Sequence, residues 1–202
     1  MIKTIIFDFD DTLYCGSAWT TWPKYILQGF VKAGVSEDDC KKLYEKYGIE
    51  TFTQQSKIVD LCYAENINIK KFRNYLKKNV YQHPFEVTQK ISNQFLTDLS
   101  KKYKLYLLSL SEQRYIKFYG KKYGVDLKPF KKLITSDPKN KSKSIDMKKI
   151  LEKEKLLPDE CMMIGDSLKF DIEPAQALGI KTYHFNKNYD ELYQYFSKNN
   201  IL

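Results

Sequence analysis

The sequence lacks the features of membrane-spanning proteins and of zinc-binding proteins. It contains no run of about 18 apolar residues, the length that a membrane-spanning helix needs. Its four cysteines form no CxxC pair, and only two histidines accompany them, so a zinc site is poorly supported. We therefore expect no membrane partner and no zinc, and we expect the cysteines to be free thiols.

Arginine is also scarce. The net charge is +9, and nearly all of the positive charge is lysine, because Arg73 and Arg114 are the only arginines. Proteins that read nucleic acids usually place arginine at base edges and phosphates. The lysines here are spread along most of the chain. We expect a general attraction for anionic substrates but no nucleic-acid partner.

A secretion signal is not expected, because an apolar strand begins almost directly after Met1. We therefore expect a cytoplasmic protein. The 202 residues suffice for one domain with a sizeable insertion. The sequence leaves open whether the protein is a monomer or a homodimer.

An apolar run followed by acids organises the chain. Residues 5–7 are too few for a helix but enough for a strand buried on both faces, and Asp8, Asp10 and Asp11 follow directly. Ligands bind at the carboxyl edge of open α/β sheets. Asp8 and Asp10 share a face of extended chain, so one can attack while the other transfers a proton, with a metal ion holding both ionised. The alternative is a solvated turn.

A helical block follows this strand. Apolar residues recur at helical spacing from residue 15 to about 98, including a predicted helix over 87–99. Ser36 before three acids and Gly48 after lysines are typical of helix caps. A crossover helix needs only about a dozen residues, so the excess predicts a separate small domain.

Strands and helices alternate in the rest of the chain. Four apolar runs are predicted strands: 103–110, 132–135, 161–164 and 181–185. The alternation predicts an α/β fold, a doubly wound parallel sheet with right-handed crossovers. We place this core in residues 1–14 and 99–202 and the inserted α-helical domain in residues 15–98.

Three segments resemble motifs of the haloacid dehalogenase superfamily, whose members are mostly phosphatases. Residues 8–14, DFDDTLY, resemble its first motif, DxDxT after a hydrophobic strand. Residues 107–111, LLSLS, resemble the second, and residues 164–172, IGDSLKFDI, resemble the fourth, GDxxxxD. The resemblance covers the core in the expected order. It implies a Rossmann-like core with a helical cap inserted after the first motif.

The resemblance also implies roles for single residues. Asp8 would be the nucleophile that forms an aspartyl-phosphate, and Asp10 would protonate the leaving alcohol and then activate water. Ser109 would hydrogen-bond a phosphoryl oxygen, and Thr12 would belong to the substrate site. These roles require that the repulsion between the attacking carboxylate and the phosphate be cancelled.

A Mg²⁺ site is implied by the same resemblance. Its ligands would be the Asp8 side chain, the Asp10 backbone carbonyl and Asp166, with Asp171 supporting them less directly. Oxygen ligands with few dedicated carboxylates suit Mg²⁺ better than softer metals. Considered without the other motifs, Asp166 could equally be an ordinary turn residue, and Asp171 could be a helix cap.

The family also uses a lysine to neutralise charge on the nucleophile and the phosphate. Lys141 has the spacing of members with a KPDP-type loop, whereas Lys143 fits members in which the lysine lies four residues before the first core position. Lys139 is a remoter option. We favour Lys143 and keep Lys141 as a second candidate.

Two departures from the family pattern bear on the reaction. Leu110 follows Ser109 where asparagine is frequent, and we expect this change to reshape the phosphate site. Asp11 replaces the commoner glycine, although an aspartate is a familiar variant at this position. Dehalogenases of the family lack an acid at the position of Asp10, because a departing halide needs no proton. Asp10 therefore favours phosphate chemistry.

We predict a Mg²⁺-dependent phosphatase acting on a small phosphorylated metabolite such as a sugar phosphate, phosphoglycolate or a nucleoside monophosphate. The alternatives are a phosphomutase of the same fold and a non-catalytic binding or regulatory protein on this scaffold. Trp19 and Trp22 are candidates for binding a substrate ring. Aromatic residues at helical spacing are, however, usually core residues.

Overall fold

A computed structural model describes residues 1–16, 18–49, 55–82, 86–136 and 142–201. The chain divides into two compact units. The first unit consists of Met1–Cys15 and Val87–Leu202, and the second of Gly16–Glu86.

The described residues form seven strands: β1 (Thr4–Phe7), β2 (Tyr14–Gly16), β3 (Val87–Lys90), β4 (Lys104–Ser109), β5 (Phe130–Thr135), β6 (Cys161–Gly165) and β7 (Lys181–His184). Five of them form one sheet in the order β5-β4-β1-β6-β7, and all neighbours in it are parallel. The order reverses at β1, as in the doubly wound folds, so the predicted fold class is confirmed. Strands β2 and β3 form a separate two-stranded sheet.

The described residues also form nine α-helices: α1 (Ala18–Lys32), α2 (Glu37–Lys46), α3 (Gln55–Ala64), α4 (Ile69–Gln82), α5 (Asn93–Lys102), α6 (Gln113–Tyr123), α7 (Ser144–Glu154), α8 (Glu173–Gln176) and α9 (Tyr189–Lys198). A π-helical turn, Leu168–Ile172, precedes α8. None of the helices in the described ranges is long and apolar enough to cross a membrane.

Burial explains why β1 and β6 occupy the centre of the large sheet. Every residue of both strands is buried, and both sequences are almost entirely apolar except at Thr4. Such continuous apolar runs are typical of parallel strands covered on both faces. In the register of the sheet, Phe7 lies beside both Leu107 and Ile164, so β1, β4 and β6 end at the same edge.

The second unit has its own apolar core. Phe30 of α1 packs against Phe72 of α4, with ring centroids 4.7 Å apart. Buried side chains of α2 and α3, including Cys40 and Leu61, belong to the same cluster. The helical pattern of the sequence therefore corresponds to four helices that bury a common apolar surface.

Residues 87–99 differ from the single helix that their pattern predicts. Strand β3 pairs with β2, and α5 begins only at Asn93, after Ser92 accepts a hydrogen bond from the Phe95 amide (3.3 Å). The Thr88 hydroxyl donates to the Cys15 carbonyl oxygen (3.1 Å), which ties β3 to β2. The two units accordingly divide just before β3, twelve residues earlier than our predicted boundary, because pairing with β2 keeps this segment in the first unit. That each unit is an independent domain remains a prediction.

Candidate active site

Polar residues gather where β1, β4 and β6 end. Asp8 directly follows β1, and its amide donates to the Ile164 carbonyl oxygen of β6 (2.9 Å). Ser109 is the last residue of β4, and Asp166 directly follows β6. Because neighbouring parallel strands end together, residues far apart in sequence become neighbours here, at the edge where α/β proteins bind ligands.

Three carboxylates form the centre of this group. Asp8, Asp166 and Asp171 each offer one oxygen, and these oxygens lie within 4.8 Å of one another. The π-helical turn brings Asp171 back to the end of β6, where its Oδ2 accepts a hydrogen bond from the Ser167 amide (3.1 Å). A Cβ atom on Gly165 would lie 2.3 Å from Asp171 Oδ2, so only glycine leaves room for this carboxylate.

Lys143 is the cation of the group. Its Nζ donates to Asp8 Oδ1 and to Asp171 Oδ1, each at 2.6 Å, and the side chain is only 2% exposed. Burial lowers the pKa of Lys143, but the two carboxylates outweigh burial, so the pKa is raised and the ammonium stays charged. Of the candidate lysines, Lys143 therefore contacts Asp8, whereas Lys139 and Lys141 lie outside the described residues.

Burial, with a smaller contribution from nearby acids, raises the pKa of two of the aspartates. Burial raises the pKa of Asp8 well above its ordinary value, and the nearby acids add to the shift, although Lys143 opposes it. Burial and the neighbouring Asp171 raise the pKa of Asp166 to about 6. One lysine thus leaves part of this negative charge unbalanced, as expected of a site that also receives a metal cation.

Asp10 lies in a different environment. The Tyr14 hydroxyl donates to its Oδ1, and Ser111 Oγ donates to its Oδ2 at 2.6 Å. Burial raises the pKa of Asp10, and the hydrogen bonds from Ser111, Tyr14 and Tyr115 act against that shift. The Asp10 carboxylate is not a member of the three-carboxylate group, and coordination through its backbone carbonyl remains a prediction.

The two predicted phosphate-binding residues, Ser109 and Thr12, are both buried. Ser109 Oγ accepts a hydrogen bond from the Ser111 amide at 3.0 Å. Thr12 Oγ1 is buried and has no hydrogen-bond partner among the described residues, while the Thr12 carbonyl oxygen accepts from the Tyr189 hydroxyl (3.0 Å). A buried hydroxyl without a partner is costly unless a ligand satisfies it. Their roles remain predictions.

The unusual Asp11 has a structural explanation. Its φ of 53° lies in the left-handed region, which favours glycine but which aspartate tolerates better than most residues. Its carboxylate forms an ion pair with Lys187, whose Nζ lies 3.2 Å from Oδ2. Aspartate thus meets the backbone requirement and also ties the first motif to the loop after β7.

The sequence pattern did not predict a role for Tyr14 or Ser111, although Tyr14 lies in the first motif and Ser111 in the second. Ser111 follows Ser109 by two residues, a weak signal that both would share a face of an extended segment. Tyr14 carries no comparable signal, because its contact with Asp10 depends on the turn between them. Trp19 and Trp22 belong to α1, but their side chains are not described, so their roles remain predictions.

Comparisons with known proteins agree with the fold. The model of the haloacid dehalogenase-like hydrolases matches residues 2–179. The chain is similar to a phosphatase of this family from Thermococcus onnurineus (22% identity, 93% of this chain and 87% of that chain, TM-score 0.61). It is also similar to a magnesium-bound hydrolase of the family from Bacillus subtilis (17% identity, 97% and 99%, TM-score 0.59).

A third similar structure is the 2-haloacid dehalogenase of Pseudomonas syringae (17% identity, 92% and 87%, TM-score 0.57). No curated protein sequence matches the chain. At these identities, the solved structures establish the fold and leave the reaction open. The family model, by contrast, covers nearly the whole chain. The chain therefore belongs to the haloacid dehalogenase-like hydrolases.

Proposed function

We propose that this protein is a Mg²⁺-dependent phosphatase that hydrolyses a small phosphorylated metabolite through an aspartyl-phosphate. The observation that carries the proposal is the contact of Lys143 Nζ with Asp8 Oδ1 at 2.6 Å. A carboxylate can attack a phosphate dianion only where positive charge cancels their repulsion. A buried, charged lysine beside Asp8 supplies part of that charge.

The proposed reaction has two steps. In the first, an Asp8 carboxylate oxygen attacks phosphorus, the bond from phosphorus to the substrate oxygen breaks, and Asp10 gives its proton to the departing alcohol. In the second, a water oxygen attacks the phosphorus of the aspartyl-phosphate and loses a proton to Asp10. Phosphate leaves, and Asp8 and Asp10 return to their starting states.

The residues at the site fit a magnesium ion. Asp8 and Asp166 would bind it directly and Asp171 would support them, since their oxygens already lie within 4.8 Å of one another. Hard oxygen donors are the ligands that Mg²⁺ prefers. When bound, the ion would supply positive charge that stabilises the negative phosphoryl group.

Asp10 favours a phosphatase over a dehalogenase. An alkoxide leaving group needs a proton, whereas a halide does not. The Asp10 carboxyl accepts hydrogen bonds from Tyr14 and Ser111, whereas Asp8 contacts Lys143. Two carboxylates in different environments suit different roles, one as nucleophile and one as acid and base.

Substrate choice is proposed to depend on the second unit, which would act as the cap of the family. Trp19 and Trp22 remain candidate contacts for a substrate ring. Water as the final phosphate acceptor distinguishes the proposed phosphatase from a phosphomutase, which returns the phosphoryl group to its substrate.

The proposal is tested by measuring phosphate release from a panel of phosphorylated metabolites, with Mg²⁺ and with EDTA. We expect Mg²⁺-dependent release that Asp8→Asn abolishes, together with trapping of beryllium fluoride, while the circular dichroism spectrum stays unchanged. Near-normal turnover by Asp8→Asn would refute the assignment of Asp8 as the nucleophile. Interconversion of phosphate isomers with little free phosphate would indicate the mutase instead.

A further inference from the structure

We propose that Tyr14 and Ser111 are positioning residues that hold the Asp10 carboxyl group in the orientation needed for proton transfer to the leaving group. This inference rests on the proposed function, in which Asp10 is the acid and base. It adds two residues to which neither the motifs nor the family resemblance assigned a role.

The hydrogen bonds from Tyr14 and Ser111 reach opposite oxygens of Asp10. Tyr14 donates to Oδ1, and Ser111 donates to Oδ2 at 2.6 Å. A planar carboxyl group that is held at both oxygens cannot rotate about its terminal torsion without breaking one of them, whereas this torsion is otherwise broad. The pair of contacts therefore fixes the direction of the carboxyl group.

Tyr14 is itself held in place. The side chain is 2% exposed, and its ring packs against the rings of Phe9 and Tyr123, with both centroid distances 5.1 Å. Its hydroxyl can therefore move little, since a buried ring in close packing keeps its rotamer. A rigid donor is what a positioning role requires.

Ser111 joins the acid to the phosphate-binding serine. Its amide donates to Ser109 Oγ at 3.0 Å while its own hydroxyl donates to Asp10. Its carbonyl oxygen accepts a hydrogen bond from Thr135 Oγ1 at 3.1 Å, which anchors the backbone to β5. A single residue thus sets the spacing between two groups that must contact the same phosphate ester.

The hydroxyl chemistry of both residues also suits this task. Tyrosine and serine hydroxyls can donate or accept a hydrogen bond, whereas a lysine can only donate. They can hold Asp10 both before and after it gives up its proton, so they orient the group through both steps of the reaction.

The test compares Tyr14→Phe and Ser111→Ala with the wild-type enzyme on two substrates, an alkyl phosphate and p-nitrophenyl phosphate, in Mg²⁺. An alkoxide needs a proton to leave, whereas nitrophenolate leaves without one. We expect kcat/KM for the alkyl phosphate to fall about 10- to 100-fold in each variant, because it reports formation of the aspartyl-phosphate. The value for p-nitrophenyl phosphate should change by less than about threefold.

Two control variants accompany these. Ser111→Thr keeps the hydroxyl and should restore most of the activity on the alkyl phosphate. Tyr106→Phe removes another buried tyrosine hydroxyl, one that donates to the Glu154 carboxylate, and should leave the ratio between the substrates unchanged. Beryllium fluoride trapping at Asp8 should persist in all four variants.

Equal losses on both substrates, no loss on either, or loss of trapping would overturn the positioning role. So would a Ser111→Thr variant as impaired as Ser111→Ala. A wild-type protein that releases phosphate from neither substrate, nor from any member of the metabolite panel, would refute the proposed function itself, and the inference with it. That result is distinct from an active enzyme whose variants show no difference between the substrates.

Discussion

Lys143 forms ion pairs with two buried carboxylates, Asp8 and Asp171. Among single residues, we expect this buried charged group to have the largest effect on the free energy of unfolding. Each charge would be costly to bury alone, since the desolvation of an isolated ion amounts to several kcal/mol. The three groups are therefore energetically dependent on one another. Removing Lys143 would leave both carboxylates buried without their cation.

Replacing Lys143 with methionine should destabilise the protein strongly at neutral pH. Two carboxylates would remain buried without their cation, and breaking such a pair lowers the free energy of unfolding by about 3–5 kcal/mol. The loss should shrink at acidic pH, because burial raises the pKa of Asp8 and its carboxylate then takes up a proton. Urea unfolding at pH 7 and pH 4.5 measures both effects.

Lys149→Met provides the matched control. Lys149 pairs with Asp146 at 3.2 Å but its side chain is 66% exposed, so its loss should change the free energy of unfolding by less than about 1 kcal/mol. If both variants were destabilised equally, the buried group of Lys143, Asp8 and Asp171 would contribute no more to stability than an exposed ion pair does.

Asp166 makes the metal-free protein less stable as the pH rises. Its pKa is raised from 3.8 to about 6, mainly by burial, so the folded protein binds this proton more tightly than the unfolded chain does. The contribution of Asp166 to stability therefore falls between about pH 4 and pH 6 and is constant above that range.

Asp166→Asn should consequently be more stable than the wild type above pH 6 in EDTA, by about 1–2 kcal/mol after allowance for solvent screening. Near pH 4 the two proteins should be similar. Mg²⁺ should stabilise the wild type and not the variant. Thermal unfolding from pH 4 to 8, with and without Mg²⁺, checks these expectations; a variant that is less stable at pH 7 in EDTA would contradict them.

At the scale of elements, the end of β6 and the π-helical turn Leu168–Ile172 act together. Gly165 leaves the space that Asp171 fills, and the turn returns Asp171 to the strand end after only five residues of intervening backbone. Ser167 holds the arrangement through its amide, which donates to Asp171 Oδ2, and through its hydroxyl, which accepts from the Phe170 amide (3.2 Å). π-Helical turns are frequent at functional sites.

Gly165→Ala should displace the Asp171 carboxylate, because the new methyl group would lie within 2.6 Å of its Cβ, Cγ and Oδ2. We expect Mg²⁺ affinity and phosphatase activity to fall about 10- to 100-fold, as is typical when support behind metal ligands is lost. Isothermal titration and turnover measure these quantities.

Gly34→Ala separates this effect from a general loss of stability. Gly34 has a φ of 101°, so alanine there strains the backbone, and no atom of the described residues lies within 4 Å of the new Cβ. It should lower the melting temperature and leave Mg²⁺ affinity unchanged. A Gly165→Ala protein that bound Mg²⁺ normally would show that Asp171 does not support the metal site.

At the scale of the whole molecule, the chain leaves the first unit and re-enters it at neighbouring points. Strands β2 and β3 pair, and Thr88 Oγ1 donates to the Cys15 carbonyl oxygen at 3.1 Å. The first unit also has its own apolar core, which includes Ile6, Tyr106 and Met163. We therefore expect that a short linker can replace the inserted residues 17–86.

A protein in which a short Gly-Ser linker replaces residues 17–86 should retain a cooperative unfolding transition, because the sheet and its core remain complete. We expect it to keep beryllium fluoride trapping in Mg²⁺ but to lose discrimination among phosphorylated substrates. A longer deletion of residues 17–90 also removes β3 and should be less stable. If the shorter deletion unfolded without cooperativity, the first unit would depend on the insert for its folding.

Local sequence determined much of the secondary structure. The apolar residues 5–7 and 161–164 predicted the central strands, because such runs are stable only where both faces are covered. Ser36 caps α2 by accepting a hydrogen bond from the Asp39 amide, and Gly48 adopts a φ of 57°, as their positions indicated. These features need only short-range contacts, so a single sequence suffices to predict them.

Tertiary structure decided the contacts between distant residues. The contact of Lys143 with Asp8 spans 135 positions of the chain, and that of Ser111 with Asp10 spans 101. Strand β3 likewise exists because β2 offers it a partner, although its local pattern favoured a helix. The sequence by itself determined which acids stand at strand ends. The register of the sheet and the paths of its loops decided which lysine and which hydroxyls meet them, because such contacts depend on how the strands align and not on local preference.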